Sequence, residues 1–100
     1  MYVRLATFQV SPSQLEAVAE YFRVEAIRRF SAYEGFLGYQ AFIDRSSGRM
    51  IGISRWRSLA ALKESSELGR GIIRGAAELG AAMIGEPQIL EQAFDERPST

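Results

Sequence analysis

Phe36-Leu37-Gly38-Tyr39-Gln40-Ala41-Phe42-Ile43-Asp44, then Arg45-Ser46-Ser47-Gly48, then Arg49-Met50-Ile51-Gly52-Ile53-Ser54-Arg55-Trp56-Arg57: this stretch decides the fold. The outer blocks are rich in aromatic and branched apolar residues, and the middle block is polar and ends in glycine. That pattern predicts a strand over 36–44, a hairpin loop of four residues and a strand over 49–57. Neither strand has a wholly polar side. Alternation puts Leu37, Tyr39, Ala41 and Ile43 on one face of the first strand, with Phe36, Gly38 and Phe42 opposite. In the second strand Ile51 and Ile53 oppose Met50, Gly52 and Trp56. A sheet that is apolar on both faces needs two covers.

Upstream, the first ten residues are strand formers (Tyr2, Val3, Leu5, Thr7, Phe8, Val10). Ser11-Pro12-Ser13-Gln14 has the form of a capping box with proline in the first turn. Leu15, Val18, Ala19, Phe22, Ala26 and Phe30 then recur at helical spacing, and Gly35 is expected to end the segment in a left-handed conformation. Downstream, Ser58 caps a second helical region that Gly69 and Gly71 are expected to break or bend. Helical spacing resumes through Ile72, Ala76, Leu79 and Met83. Gly85-Glu86-Pro87 stops it, and Gln88 to Asp95 supplies the last strand. The order is βαββαβ, an α+β ferredoxin-like sandwich in one domain over 1–100, with residues 97–100 a frayed tail. Its helices cover one sheet face. A second copy, sheet on sheet, is the simplest cover for the other, giving a homodimer.

Composition narrows the chemistry. Twelve basic residues balance twelve acidic ones, and the two signs alternate along the chain, so no nucleic-acid partner is expected. No stretch resembles a signal peptide or a membrane span, which points to the cytoplasm and no membrane association. The chain has no Cys, no His and no Asn. That removes thiolate and imidazole nucleophile chemistry, Cys-based zinc and iron–sulfur sites, and a proximal His for haem. No metal site and no bound cofactor are expected.

Tyr33-Glu34-Gly35-Phe36-Leu37-Gly38 and Trp56-Arg57-Ser58-Leu59-Ala60-Ala61-Leu62, in this order and spacing, resemble stretches of the antibiotic biosynthesis monooxygenase domain family. The resemblance covers residues 2–96. It implies a dimeric α/β-barrel with a ligand cleft between each subunit's helices and its sheet. It also implies cofactor-free oxidation of aromatic compounds by O2, or, in another branch, haem degradation. Trp56 matches the Trp of the polyketide oxygenases. Gly52 stands where they carry Asn, Leu62 where they carry Tyr, and Arg74 is nearest their helical Arg. Ser65 stands where many relatives have His, the haem ligand of the degrading branch, so haem degradation is not expected.

Candidate ligand-binding residues are therefore Trp56, Phe22, Tyr33 and Tyr39, with Trp56, Tyr39 and Arg74 the candidates for catalysis. Each has a plainer role as well. Trp56 can simply plug the junction between strand and helix, and the other aromatics can be core. A tyrosine base at neutral pH would need a phenol pKa well below 10. Arg55 and Arg57 fall on one side of a strand, where they suit a carboxylate or intersubunit ion pairs. Two functions stay open: oxidation of a quinol-type compound by O2, and non-catalytic binding of a small ligand or partner on the same dimeric fold.

Overall fold

The computed structural model describes residues 1–99. Thr100, the last residue of the expected tail, lies outside them. The strands are β1 (Tyr2–Gln9), β2 (Phe36–Asp44), β3 (Arg49–Trp56), β4 (Ala82–Met83) and β5 (Gln88–Glu91). The helices are α1 (Leu15–Phe30), α2 (Leu59–Glu64) and α3 (Ser66–Glu78). All strand pairs are antiparallel, in the order β2-β3-β1, with β4 and β5 both on the free edge of β1. The fold is the ferredoxin-like α+β sandwich, its fourth strand split in two.

The hairpin forms over the expected residues. Asp44 pairs with Arg49, and Gly48, at φ +77°, closes the loop by donating its N–H to Asp44 O at 2.9 Å. One face of the sheet carries Ala6, Phe8, Met50, Gly52, Ser54 and Trp56, all buried. Against it α1 packs Leu15, Val18, Phe22, Ala26 and Phe30, α2 packs Leu62, and α3 packs Ile72 and Ala76. This is the core.

Several expectations are corrected. The register slips between Phe36 and Gly38, a β-bulge. One extra residue breaks the period of two, so Phe36 joins Tyr39 on the helix face against Trp56, and Leu37 is exposed. Strand β3 ends at Trp56 rather than Arg57. The capping box does not form. Ser11 accepts from the Gln14 N–H through its backbone oxygen, a tight turn spans Pro12–Gln14, and α1 begins at Leu15. Gly35 has φ +92° but sits in the turn into β2, beyond the helix end at Phe30, where its carbonyl accepts from Arg57 N at 2.8 Å.

The break in the second helical region falls at Ser65, and Gly69 and Gly71 lie inside α3. Ser65 Oγ and an Nη of Arg4 both take the Leu62 carbonyl, which diverts that oxygen from the regular helical ladder. Met83 belongs to β4, not to a helix. The last strand stops at Glu91 because Glu91 pairs with Tyr2, where β1 itself begins.

Candidate functional site

Between the helices and the sheet lies a cavity of about 30 Å³. Phe8, Phe22, Phe30, Ile72 and Ile73 give it apolar walls, and Arg4, Tyr39 and Ser54 give it polar atoms. Sheet register explains the polar row. Arg4 on β1 and Tyr39 on β2 both pair with Ser54 on β3, so the three side chains stand abreast on the helix face. In its present volume the cavity holds about one water molecule, far short of the several hundred Å³ typical of a ligand pocket.

Tyr39 stacks on Phe22 at 5.9 Å with an interplanar angle of 11°. Its ring leans along the sheet so that the hydroxyl lies over Gly52, where an added Cβ would collide with it. Gly52, which by resemblance stands where the oxygenases carry Asn, is thus bare, and the phenol of a neighbouring strand fills the space. Burial pushes the Tyr39 phenol far above its ordinary value. It stays protonated at neutral pH and is a hydrogen-bond donor, not a base.

Arg4 is the functional candidate that sequence reasoning missed. Its Nη2 donates to Leu62 O at 2.8 Å, Ser66 Oγ at 3.0 Å and Ser65 Oγ at 3.3 Å. Its Nη1 is buried and has no partner. Burial, and then the nearby charge of Arg70, lower its pKa. Nη1 lies over Gly69, where an added Cβ would stand 3.2 Å from it. The only signal in sequence was a basic residue in an otherwise apolar alternating strand.

The other candidates separate from this cavity. Trp56 is fully buried. Its Nε1 donates to Ser54 Oγ at 2.9 Å, and Phe30, Tyr33 and Phe36 pack around its ring at 5.2–6.4 Å. It touches the site through Ser54 and Phe30 rather than lining it. Tyr33 stands edge-on to Trp56, away from the cavity wall. Arg74 is exposed on α3. Phe22 and Tyr39 alone of the sequence-chosen residues meet at the cavity. Ser65, which by resemblance stands where many relatives have His, is buried against Arg4, and Leu62 meets Arg4 through its backbone carbonyl. Among the described residues no three Asp or Glu gather to hold a metal ion.

A family model described as antibiotic biosynthesis monooxygenase matches residues 1–68. The chain belongs to this family. The match spans Arg4, Phe22, Tyr39, Gly52 and Ser54, while Ile72 and Ile73 lie beyond it. Solved structures agree on the fold. A monooxygenase from the gene ActVA-Orf6 of Streptomyces coelicolor, in complex with the ligand nanaomycin D, superposes with a TM-score of 0.76 at 16% identity, covering 98% of this chain and 92% of that one. A mutant of SnoaB, a cofactor-independent oxygenase from Streptomyces nogalater, gives 0.65 at 20% identity over 94% of each chain. Rv0793 from Mycobacterium tuberculosis gives 0.62 at 18% identity, covering 97% of this chain and 98% of that one. No curated protein matches the chain significantly.

Proposed function

We propose that this family member is a cytoplasmic homodimer whose cleft between helices and sheet binds a small aromatic molecule. There it oxidises a phenol or quinol with O2 and no bound cofactor. The observation that carries this reading is the cavity wall. Four aromatic rings, Phe8, Phe22, Phe30 and Tyr39, surround a row of hydrogen-bond donors between the helices and the sheet, and a monooxygenase of the same fold was solved in complex with a ligand. Apolar rings exclude water and hold a planar substrate, and the substrate's own electrons reduce O2. Arg4 Nη1 and the Tyr39 hydroxyl stabilise a substrate oxyanion by donating to it. No carboxylate lines the cavity among the described residues, so no protein base sits beside the substrate. The phenol therefore ionises before it reacts, and the rate follows the substrate's own pKa, rising with pH.

The competing reading is a non-catalytic ligand-binding domain on the same fold. It is favoured by Gly52, Leu62 and Ser65, which by resemblance stand where the polyketide oxygenases carry Asn and Tyr and where many relatives carry His. Oxygen uptake with anthrone, whose enol is a phenol, separates the two. The oxygenase reading expects uptake above autoxidation that scales with protein, is unaffected by chelators and falls about tenfold or more in Arg4→Gln. Saturable binding of anthraquinone by calorimetry, with no protein-dependent uptake, leaves the binding reading standing instead.

A further inference from the structure

Outside the buried cavity, between α3 and β5, lies a second pocket of about 180 Å³ lined by Arg4, Ser66, Gly69, Arg70, Ile73, Pro87 and Ile89. Arg4, Gly69 and Ile73 belong to both walls. Arg4 therefore stands where the inner cavity and the outer pocket adjoin. Nη2 faces the helix junction and is fully engaged there, tying the end of α2 to the start of α3. Nη1 is not needed for that tie and has no acceptor.

Charge makes this vacancy costly. Arg4 forms no ion pair among the described residues, and no carboxylate lines either pocket. Arg70, at the rim, adds a second positive charge, part of which Glu67 neutralises. A half-buried guanidinium with an unmatched N–H loses solvation without compensation, and an anionic oxygen supplies what is missing. The apolar part of the outer pocket is lined by Ile73, Pro87 and Ile89, against which an aromatic ring can pack.

We propose that Arg4 is an anion anchor, and that the ligand is an aromatic carboxylate lying between α3 and β5 with its carboxylate on Nη1. Arg4 then has two separate tasks on its two terminal nitrogens. One holds the helix junction and the other holds the ligand. The proposal rests on the reading of the helix–sheet cleft as a ligand site with Arg4 Nη1 at its anionic end, extends that cleft outward to the pocket between α3 and β5, and adds the class of ligand and its point of attachment.

Paired probes test it: 2-naphthoate and its neutral analogue 2-naphthamide, titrated by calorimetry and by NMR of the Gly52 and Gly69 amides. Naphthoate is expected to bind about tenfold or more tightly than naphthamide, the scale of one charge-assisted contact. It should also shift the Arg4 side-chain nitrogen resonances, and naphthamide should not. Arg4→Lys is the discriminating variant. Its ammonium has three donors for Leu62, Ser65 and Ser66 and none left for a ligand. It should melt like the parent yet lose most of the naphthoate preference, keeping only the part that the remaining positive charge supplies. The Arg4 resonances of the unaltered protein decide the matter even where a variant fails to fold. Equal binding of both probes in the cleft, with Arg4 unmoved, overturns the anchor and leaves the cleft reading intact. A full naphthoate preference in Arg4→Lys also overturns it. Absence of any binding or glycine shift with either probe overturns the anchor and the cleft together.

Discussion

Gly52 and Tyr39 are best understood as one unit. A glycine in a central strand weakens it unless something needs the space, and here the Tyr39 hydroxyl takes the volume of the missing Cβ. Gly52→Ala should therefore destabilise the protein by about 1–3 kcal/mol through overpacking, although alanine is the better strand residue. In a Tyr39→Phe background the cost should fall by more than half, because the atom in closest conflict is the hydroxyl oxygen. Urea denaturation of the four proteins in the cycle measures that coupling. Additive effects would mean that Tyr39 swings away freely and that its stacking on Phe22 does not fix it. Trp56 differs in kind. Its single polar atom is satisfied by Ser54 within its own strand, and its ring is enclosed by Phe30, Tyr33 and Phe36. It fixes the end of the sheet against α1 and leaves the cavity to Tyr39 and Arg4.

Among the elements, the pair α2 and α3 matters most to the site, because their junction meets Arg4. Ser58 starts α2 by accepting the Ala61 N–H at 3.1 Å, and Ser65 ends it by donating to Leu62 O at 2.7 Å. Removing the first cap in Ser58→Ala should cost about 1 kcal/mol, read as a lower urea midpoint with an unchanged slope. It should leave probe binding unaltered, since Ser58 lies at the far end of α2 from Arg4. A loss of binding would show that the position of α2 is coupled to the anchor along its whole length. Gly69 lies within α3 despite its low helix propensity, and a side chain there would crowd Arg4 Nη1, which stands 3.2 Å from an added Cβ. Tertiary contact overrides the local preference that placed the break at the glycines.

For the whole molecule, the outer face of the sheet has an unmet requirement. Phe42 is 53% exposed and Leu90 46%, with Val3, Leu5, Ile51 and Ile53 half-buried around them. A contiguous apolar patch of this kind is expected to be covered on association, and a second copy would cover it by two-fold symmetry. Sedimentation at micromolar concentration should return about twice the 11.2 kDa chain mass. Phe42→Lys, which places a charge on this face of each copy, should shift it toward the monomer. A monomer for the parent protein would leave the patch without this partner.

Three long strands, the last strand's start, the long helix, the hairpin loop and the family were legible from residue order, because alternation, helical spacing and turn chemistry are local; β4, two residues read as the end of a helix, was not. The exclusion of thiol and imidazole chemistry was legible too, from composition alone. The site was only half legible. Phe22 and Tyr39 could be chosen as aromatics, but nothing local distinguished them from Trp56 and Tyr33, and the bulge that swaps Phe36 for Leu37 gives no signal in the alternation itself. Arg4 was hidden for a deeper reason. Its partners are Leu62, Ser65, Ser66 and Gly69, about sixty residues away, and its unmatched nitrogen exists only because those contacts use up the other one. A residue's neighbours along the chain decide which element it joins. Only the packing of distant elements decides which of its atoms are left without a partner, and binding depends on those atoms.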